Sequence, residues 1–597
     1  MNTSAKGCVK ILTKYGDYTS ETKNQRRNFH PPYKKGEEMK LKLFTLFVLL
    51  GLILSACGGS GGEPASSGGG GGTVVLILPE EPTTLNFYLA DAAIVRQVAD
   101  STSMTGLVTI DETGNFIPVL AEGLPTISDD YLTVTWKLMA DLKWSDGEAI
   151  TSDDVRFTIE VLSNPDSGAL VGTSGFDLIA NVETPDDLTT VITYSEPYPG
   201  YLDQFAYGLF PRHATGAPEE MANWEWNRAP VSAGPFIVSN WESGKSITLT
   251  RNPNYYEEGK PYLDEVVFEI VPEPSAQTAM MLNGEGHFHL WPGEFKADYD
   301  ELLKGKAQQY LIPGIWNMAI DFNLSAPFDG DPTASAPHPI LGDIRVRQAI
   351  AHAINYGGLQ QDVLQGSVGD STNPFAYGWY KCELPRKHGF DVEAANKLLD
   401  EAGWVMGDDG IRVAKGAMYA EDGTRLSLEL QGYTAFDPLQ LTEEYIVENL
   451  KAVGIEARIQ NYDFSIIFGT FEDNSPRAVG DYDMLIFDRG FTTEPQGYNF
   501  DAYHSSRITT AENPTGGNYF RWVNENVDAA LETAGSSFDL ETRKAAYCEV
   551  GQAVLDELPQ VYLYLFQDNY GIADNLEGYT LNTWGSMSWG IQDWKFK

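Results

Sequence analysis

The sequence predicts a large α/β protein, and three observations predict it. Strand-and-turn patterns fill about 105–160 and again Gly234 to about Asn323. From Asp343 onward helices alternate with strands, and Val561–Phe566 is apolar throughout, the mark of a strand buried on both faces. At about 150 residues per domain, 597 residues suggest roughly four domain-sized units. No repeat of roughly 20–50 residues is visible, which argues against solenoids and propellers.

The first element is Thr73–Leu78, an apolar, β-branched run between Gly72 and Pro79 that reads as a buried strand. Asp111-Glu112-Thr113-Gly114 is a turn, Leu132–Leu138 alternates as a half-buried strand does, and Asp146-Gly147 is a turn dipeptide. A helix starts near Ser152-Asp153-Asp154, acidic residues suited to a helix N-terminus, and runs to about Leu162. Phe236–Trp241 and Ser246–Thr250 form a hairpin through Ser243-Gly244; Val266–Val271 is another buried strand, and Ala276–Leu282 a short helix. In the second half Val346, Ala349, Ile350 and Ala353 fall at helical spacing behind a capping Asp343. Ala395, Leu398, Leu399 and Ala402 repeat the spacing between Asp391 and Gly403. A third helix spans about Glu443–Val453, before an alternating strand at Ile455–Ile459. A fourth, about Glu541–Leu558, stops at Pro559.

A hydrophobic fraction of 42% with 12% aromatics supports large buried cores. With 41 Lys+Arg against 84 Asp+Glu, the formal charge of −43 excludes a nucleic-acid binder working through broad phosphate neutralisation. The beginning of the chain differs from the rest. Residues 1–38 are polar and basic and precede what a signal peptide should open, so they read as a mis-assigned extension with Met39 the initiator. Residues 39–56 carry Lys40 and Lys42, then the apolar run Leu43–Leu54, too short to span a membrane. Leu54-Ser55-Ala56-Cys57 resembles a bacterial lipobox, in which Cys57 is acylated and becomes the mature N-terminus. Residues 57–72 then form a tether, nine of the fifteen after Cys57 being Gly. Of four cysteines, Cys8 and Cys57 belong to the leader. Cys382 and Cys548 remain, an even pair in an oxidising compartment and hence a candidate disulfide, with two separate buried thiols as the alternative.

Several catalytic signatures are absent. Gly244-Lys245-Ser246 ends like a phosphate-binding loop, but Ser239 stands where its first Gly should be. Neither Gly-x-Ser-x-Gly nor His-Glu-x-x-His occurs. His287 and His289 would share one face of a strand, within reach of one ion, yet no third ligand lies nearby. They read as partly exposed strand histidines, and neither metal nor cofactor is expected.

The informative signals lie in order along the chain. Pro82-Thr83-Thr84-Leu85-Asn86 follows the first strand, and Pro118-Val119-Leu120-Ala121-Glu122 leads to Trp144-Ser145-Asp146-Gly147. Gly234-Pro235-Phe236, Arg251-Asn252-Pro253-Asn254-Tyr255-Tyr256 and Asn283-Gly284-Glu285 come next. Val346-Arg347-Gln348-Ala349-Ile350-Ala351-His352-Ala353-Ile354 and Lys397-Leu398-Leu399-Asp400-Glu401-Ala402-Gly403-Trp404 complete the succession. It closely resembles the family 5 extracellular solute-binding proteins of ABC importers, the oligopeptide- and dipeptide-binding type, from residue 73 to the end of the chain.

The resemblance implies a two-lobed periplasmic-binding-protein-like fold of the class II type, with an extra strand-rich subdomain inserted in lobe I. Lobe I would comprise 73–110, 196–320 and 565–597, the insert 111–195, and lobe II 321–564. Crossings between lobes are expected near Trp316–Asn323 and Val561–Phe566. It further implies a monomeric lipoprotein without catalysis of its own, outside the cytoplasm in the periplasm or on the outer face of the cytoplasmic membrane. There it would deliver a small organic solute to ABC permease subunits, touching the membrane only through its lipid. Peptide is the leading ligand and oligosaccharide the second; a secreted hydrolase using cleft carboxylates is the rival of another class. In peptide-binding members a segment of the type Trp-x-Ala-Asp-Tyr-x-Asp-Pro sets an Asp against the peptide's α-ammonium. Aligned on Pro495, this chain has Asp488 for the leading Trp, then Arg489, with Phe491 for that Asp and Glu494 for the second Asp. Asp488 or Glu494 would have to replace the lost carboxylate. Tyr88, Trp316 and Trp379 are the aromatic candidates for stacking on a ligand, with core packing as the alternative for each.

Overall fold

The computed structural model describes residues 71–597 except 91–92, 293–294, 326–335 and 435–436. The expected extension, signal peptide, acylated Cys57 and nearly all of the tether lie outside the described residues. In chain order, β1 (Thr73–Leu78) is followed by α1 (Ala93–Ala99), β2 (Thr126–Ile127) and β3 (Thr133–Lys137). Next come α2 (Ser152–Leu162), β4 (Ile179–Asp186) and β5 (Thr189–Tyr194). Strands β2, β3, β5 and β4 form an antiparallel sheet in that order. In β3 the alternation turns Val134 and Trp136 inward and leaves Thr133 and Thr135 half-buried. The bounds read for α2 are met at both ends. Its start is set by Asp154, whose carboxylate accepts the Thr151 N–H at 2.9 Å and the Trp144 indole N–H at 3.3 Å. The core over this sheet also takes Phe205, Phe210 and Trp224 from later chain.

The next strands are β6 (Phe236–Glu242), β7 (Ser246–Arg251) and β8 (Glu265–Ile270), then α3 (Pro274–Asn283), β9 (Phe288–Leu290) and the 16-residue β10 (Ala307–Phe322). After α4 (Ile344–Ala353) and α5 (Val392–Glu401) come β11 (Ser427–Tyr433), α6 (Asp437–Lys451), β12 (Glu456–Tyr462) and β13 (Met484–Gly490). Helices α7 (Gln496–Tyr503), α8 (Glu525–Ser536) and α9 (Leu540–Glu557) precede the 14-residue β14 (Gln560–Ala573). One mixed sheet joins most of these strands in the order β12-β11-β13-β10-β14-β9-β1-β8-β7-β6. β1 is buried between parallel neighbours β8 and β9, which is why its sequence is a near-continuous apolar run.

The antiparallel pair β10 and β14 forms the middle of this sheet and links its two halves. On one side Leu76, Phe236, Leu249, Phe268 and Trp594 make a core; on the other Ile320, Val346, Leu399, Leu428, Ile486 and Leu563 make a second. The pairing shifts register at two places, a one-residue slip at Met318/Ala319, where Leu563 is skipped, and a wider break before it. Pro313 faces Gln567 and Asn317 faces Leu565, so Gly314, Ile315 and Trp316 stand opposite Phe566 alone. Such a bulge re-aims side chains out of the ladder. Gly314 suits it, since a Cβ there would meet the Phe566 carbonyl oxygen at 3.0 Å.

Three sequence expectations need correction. The helix read from Glu443 begins at Asp437, because Pro438 falls in the first turn, where its missing N–H leaves no bond unmade. The strand read as Val561–Phe566 continues to Ala573, its second half carrying the half-buried polar residues Gln567, Asp568 and Asn569. His289 is fully buried rather than partly exposed; its ring lies within hydrogen-bond distance of the Gln277 side-chain oxygen at 3.0 Å and the Tyr299 hydroxyl at 3.3 Å. Burial pushes its pKa down to about 4. His287 uses Nδ1 to accept the Val75 N–H. Among the described residues no group of three or more His, Cys, Asp or Glu could hold a metal ion.

Candidate functional site

A cleft of about 750 Å³ lies against the bulge of β10, a size suited to a small organic ligand. One wall comes from 171–178 and 196–207, the other from 490–498 with Gly535 and Arg543; Arg96 of α1, Thr583 and Trp584 also line it.

Glycines set two of its aromatic faces. Trp316 pairs in register with Gly490, and a Cβ at Gly490 would come within 2.9 Å of the indole. The ring can therefore lie against β13, and 45% of Trp316 stays exposed, a large value for Trp. Tyr198 is held in the same way. A Cβ would meet its ring at 2.4 Å from Gly175 (φ +75°) and at 2.6 Å from Gly200.

The loop after β13 forms the facing wall. Phe491 lines the cleft and donates its N–H to the Ile315 carbonyl at 2.6 Å, tying the loop to the bulge. Behind it, Tyr380 donates its hydroxyl to the Thr492 carbonyl at 2.7 Å, and Trp379 its indole N–H to the Thr493 carbonyl at 2.9 Å. Glu494 lines the cleft but is already partnered. Its two oxygens accept from both terminal nitrogens of Arg543, one at 3.0 Å, and it also accepts the Gln496 N–H at 3.0 Å. Arg543 lies over the Trp379 ring, 5.1 Å from its centroid.

Of the candidates read from the sequence, Trp316, Phe491 and Glu494 meet in this cleft. Tyr88, Trp379, Asp488 and Arg489 are not among its lining residues. Tyr88 is buried and donates its hydroxyl to the Gly208 carbonyl at 2.9 Å. Trp379 supports the loop from behind. Asp488 accepts the Tyr433 hydroxyl. Arg489 is buried on the other face of β13, paired with Asp321 at 2.6 Å and flanked by the Phe487 and Phe520 rings. Cys382 and Cys548 are joined as a disulfide with Cα atoms 5.4 Å apart, beneath Tyr380 and Tyr547.

Sequence reasoning missed Asp203, a half-buried carboxylate in the wall opposite Phe491. Its Oδ1 accepts the Thr493 hydroxyl from across the cleft and lies 3.5 Å from the Tyr207 hydroxyl. Burial pushes its pKa from 3.8 to about 6; Glu494 adds to the rise, while Thr493 and Arg96 oppose it. A single Asp in a chain with 84 acidic residues has no signature by which to find it.

Two half-sheets joined by long crossing strands, with a cleft at the break in those strands, define a two-lobed solute-binding protein. The chain belongs to family 5 of that class: the family model for bacterial extracellular solute-binding proteins, family 5 Middle, matches residues 115–510. The chain is 27% identical over 564 residues to the oligopeptide-binding protein AppA of Bacillus subtilis, covering 91% of this chain and 96% of AppA. The structure of AppA in complex with a nonapeptide superposes with a TM-score of 0.64 at 24% identity, over 89% of this chain and 99% of AppA. HbpA2 of Haemophilus parasuis superposes with a TM-score of 0.72 at 20% identity, over 88% of this chain and all of HbpA2. The family is one of extracellular solute-binding proteins, and AppA is an oligopeptide-binding protein. No helix among the described residues is long and apolar enough to cross a membrane.

Proposed function

We propose that the protein captures a peptide between its lobes and delivers it to the permease subunits of an ABC importer. The observation that carries this reading is the cleft itself. It is large enough for several residues, walled by aromatic faces, and edged by polar groups from both sides. The oligopeptide-binding relative supports peptide as the class. Trp316, an exposed platform of the kind that stacks on sugar rings, keeps oligosaccharide as the second reading. The hydrolase reading finds one carboxyl of suitable character in Asp203, but Glu494 on the facing wall is held by Arg543 and is not free to act beside it. Mass spectrometry of ligand released from protein purified without refolding tests the proposal. Peptides in the released fraction support it, and glycans with no peptide overturn it.

The division into lobes follows the same reading: 73–110, 196–320 and 565–597 form lobe I, 111–195 the insert and 321–564 lobe II, with the bulge at 313–317 as the hinge. The chain starts at Met39, is cleaved before Cys57, and is held to the membrane as a monomer by the lipid on that cysteine. Cys57→Ala should release it from membranes, and recovery of residues 1–38 on the mature protein would refute this processing.

A further inference from the structure

Four observations concern where the cleft can receive a positive charge. The loop after β13 presents the aromatic Phe491 to the cleft, which offers no charge. Glu494, the carboxylate left on that loop, is neutralised by two contacts from Arg543. Asp488 is taken by Tyr433 and does not line the cleft. Two carboxylates line it on the other wall: Glu196 is exposed to water and needs no partner, whereas Asp203 is half-buried, and among the described residues no Lys, Arg or His nitrogen lies within 4.0 Å of its carboxylate. Its Oδ1 is held by Thr493 and Tyr207, which fixes the group in place, while its Oδ2 has no hydrogen-bond partner among the described residues.

We infer that Asp203 is the residue that receives the cationic group of the ligand, so that a bound peptide turns its amine toward the 196–207 wall rather than toward the 491–494 loop. This rests on the peptide reading above and adds a specificity determinant and an orientation to it. A carboxylate removed from water without a cation is costly, and an ammonium supplied by the ligand offsets that cost at the moment of binding. Ligands with an amine are therefore selected over isosteres without one, because the isostere covers the half-buried Asp203 carboxylate without supplying a counter-charge. Burial has already driven the carboxyl pKa upward, as expected of a group awaiting its counter-charge. The aromatic faces of Tyr198 and Tyr207 on the same wall suit the stem of such a cation.

The test uses a pool of random tetrapeptides and the same pool N-acetylated, each incubated with the mature protein, with retained peptides quantified by mass spectrometry. The wild type should retain peptides bearing a terminal or side-chain amine at least tenfold over acetylated peptides lacking one. Asp203→Asn should abolish that preference, and Asp203→Glu should keep most of it. A second measurement does not depend on a variant folding. Carbodiimide coupling of retained amine-bearing peptides to the wild type should form an amide at Asp203. No preference in the wild type, an unchanged preference in Asp203→Asn, or coupling at Glu196, Glu494 or Asp488 instead would each overturn the assignment while leaving peptide binding intact. Retention of neither pool overturns the peptide reading itself, and this assignment with it.

Discussion

Trp316 depends on an absent side chain at Gly490. Adding one methyl there sets an atom 2.9 Å from the indole, and the opposing atoms belong to a ring anchored in the β10 bulge rather than to a flexible chain end. Gly490→Ala should therefore swing the platform away. We expect ligand affinity in calorimetry to fall by up to about tenfold, since an aromatic contact is worth about 0.5–1.5 kcal/mol. Thermal stability should change less, because Trp316 is exposed at 45% and contributes little to the core. An unchanged affinity would show that the ring takes no part in binding. Asp203 makes a second expectation, this time of pH. Its raised carboxyl, at about 6 against 3.8, binds a proton more readily folded than unfolded, so its contribution to stability falls as pH rises through that window. The ligand cation reverses the preference. The charged groups facing it are Arg96 and the paired Glu494 and Arg543, with Tyr207 alongside. Affinity for amine-bearing tetrapeptides should drop as pH falls below about 6, approaching tenfold per unit, while Asp203→Asn binds them weakly and without that slope. A flat profile in the wild type would mean that the carboxylate does not meet the amine.

At the scale of elements, the Cys382–Cys548 bridge ties the segment carrying Trp379 and Tyr380 to α9, across a sequence separation of 166. Closing so long a loop should contribute about 3–5 kcal/mol through the unfolded chain. Reduction should lower the denaturant midpoint accordingly and loosen the loop that Trp379 and Tyr380 hold by its carbonyls; an unmoved midpoint would show that the bridge adds nothing. Helices were legible in the sequence where a cap and a periodic face agree, as in α2, α4 and α5, whose starts rest on Asp154, Asp343 and Asp391. They were less so where a proline opens the helix, as in α6. β14 was legible only as far as it is apolar; its polar half is stabilised by pairing with β10, which no local pattern reveals. The site divides in the same way. Phe491 and Glu494 were found because a loop motif marks their place. Asp488 and Arg489 belong to the same aligned segment but lie on β13, where Asp488 accepts the Tyr433 hydroxyl and Arg489 turns to the opposite face to pair with Asp321. Asp203 reaches the cleft through tertiary folding alone.

At the scale of the whole molecule, the two walls already touch at the rim. The Phe538 ring, between α8 and α9, stacks on Tyr131 at 4.5 Å and on Tyr201 at 6.0 Å, residues of the opposite side lying hundreds of positions earlier in the chain. Thr493 and Asp203 make a polar contact across the same gap. If the lobes close as proposed, these are contacts of the closed state, and opening at the β10 bulge would break them. A ligand favours closure only by its greater affinity for the closed form, so any contact confined to that form adds to apparent affinity without touching the ligand. Each aromatic pair is worth about 0.5–1.5 kcal/mol. Phe538→Ala should then weaken binding of the retained tetrapeptides by about five- to a hundredfold while leaving the preference for amines intact, which separates closure from recognition. Small-angle scattering reads the motion directly. Saturating peptide should reduce the radius of gyration of the wild type with no change in circular dichroism, and Phe538→Ala should reach the same compact value only at higher peptide concentration. A radius that stays fixed in the wild type with peptide bound would mean the lobes do not close. An identical titration for Phe538→Ala would mean that the rim contacts carry none of the closing energy.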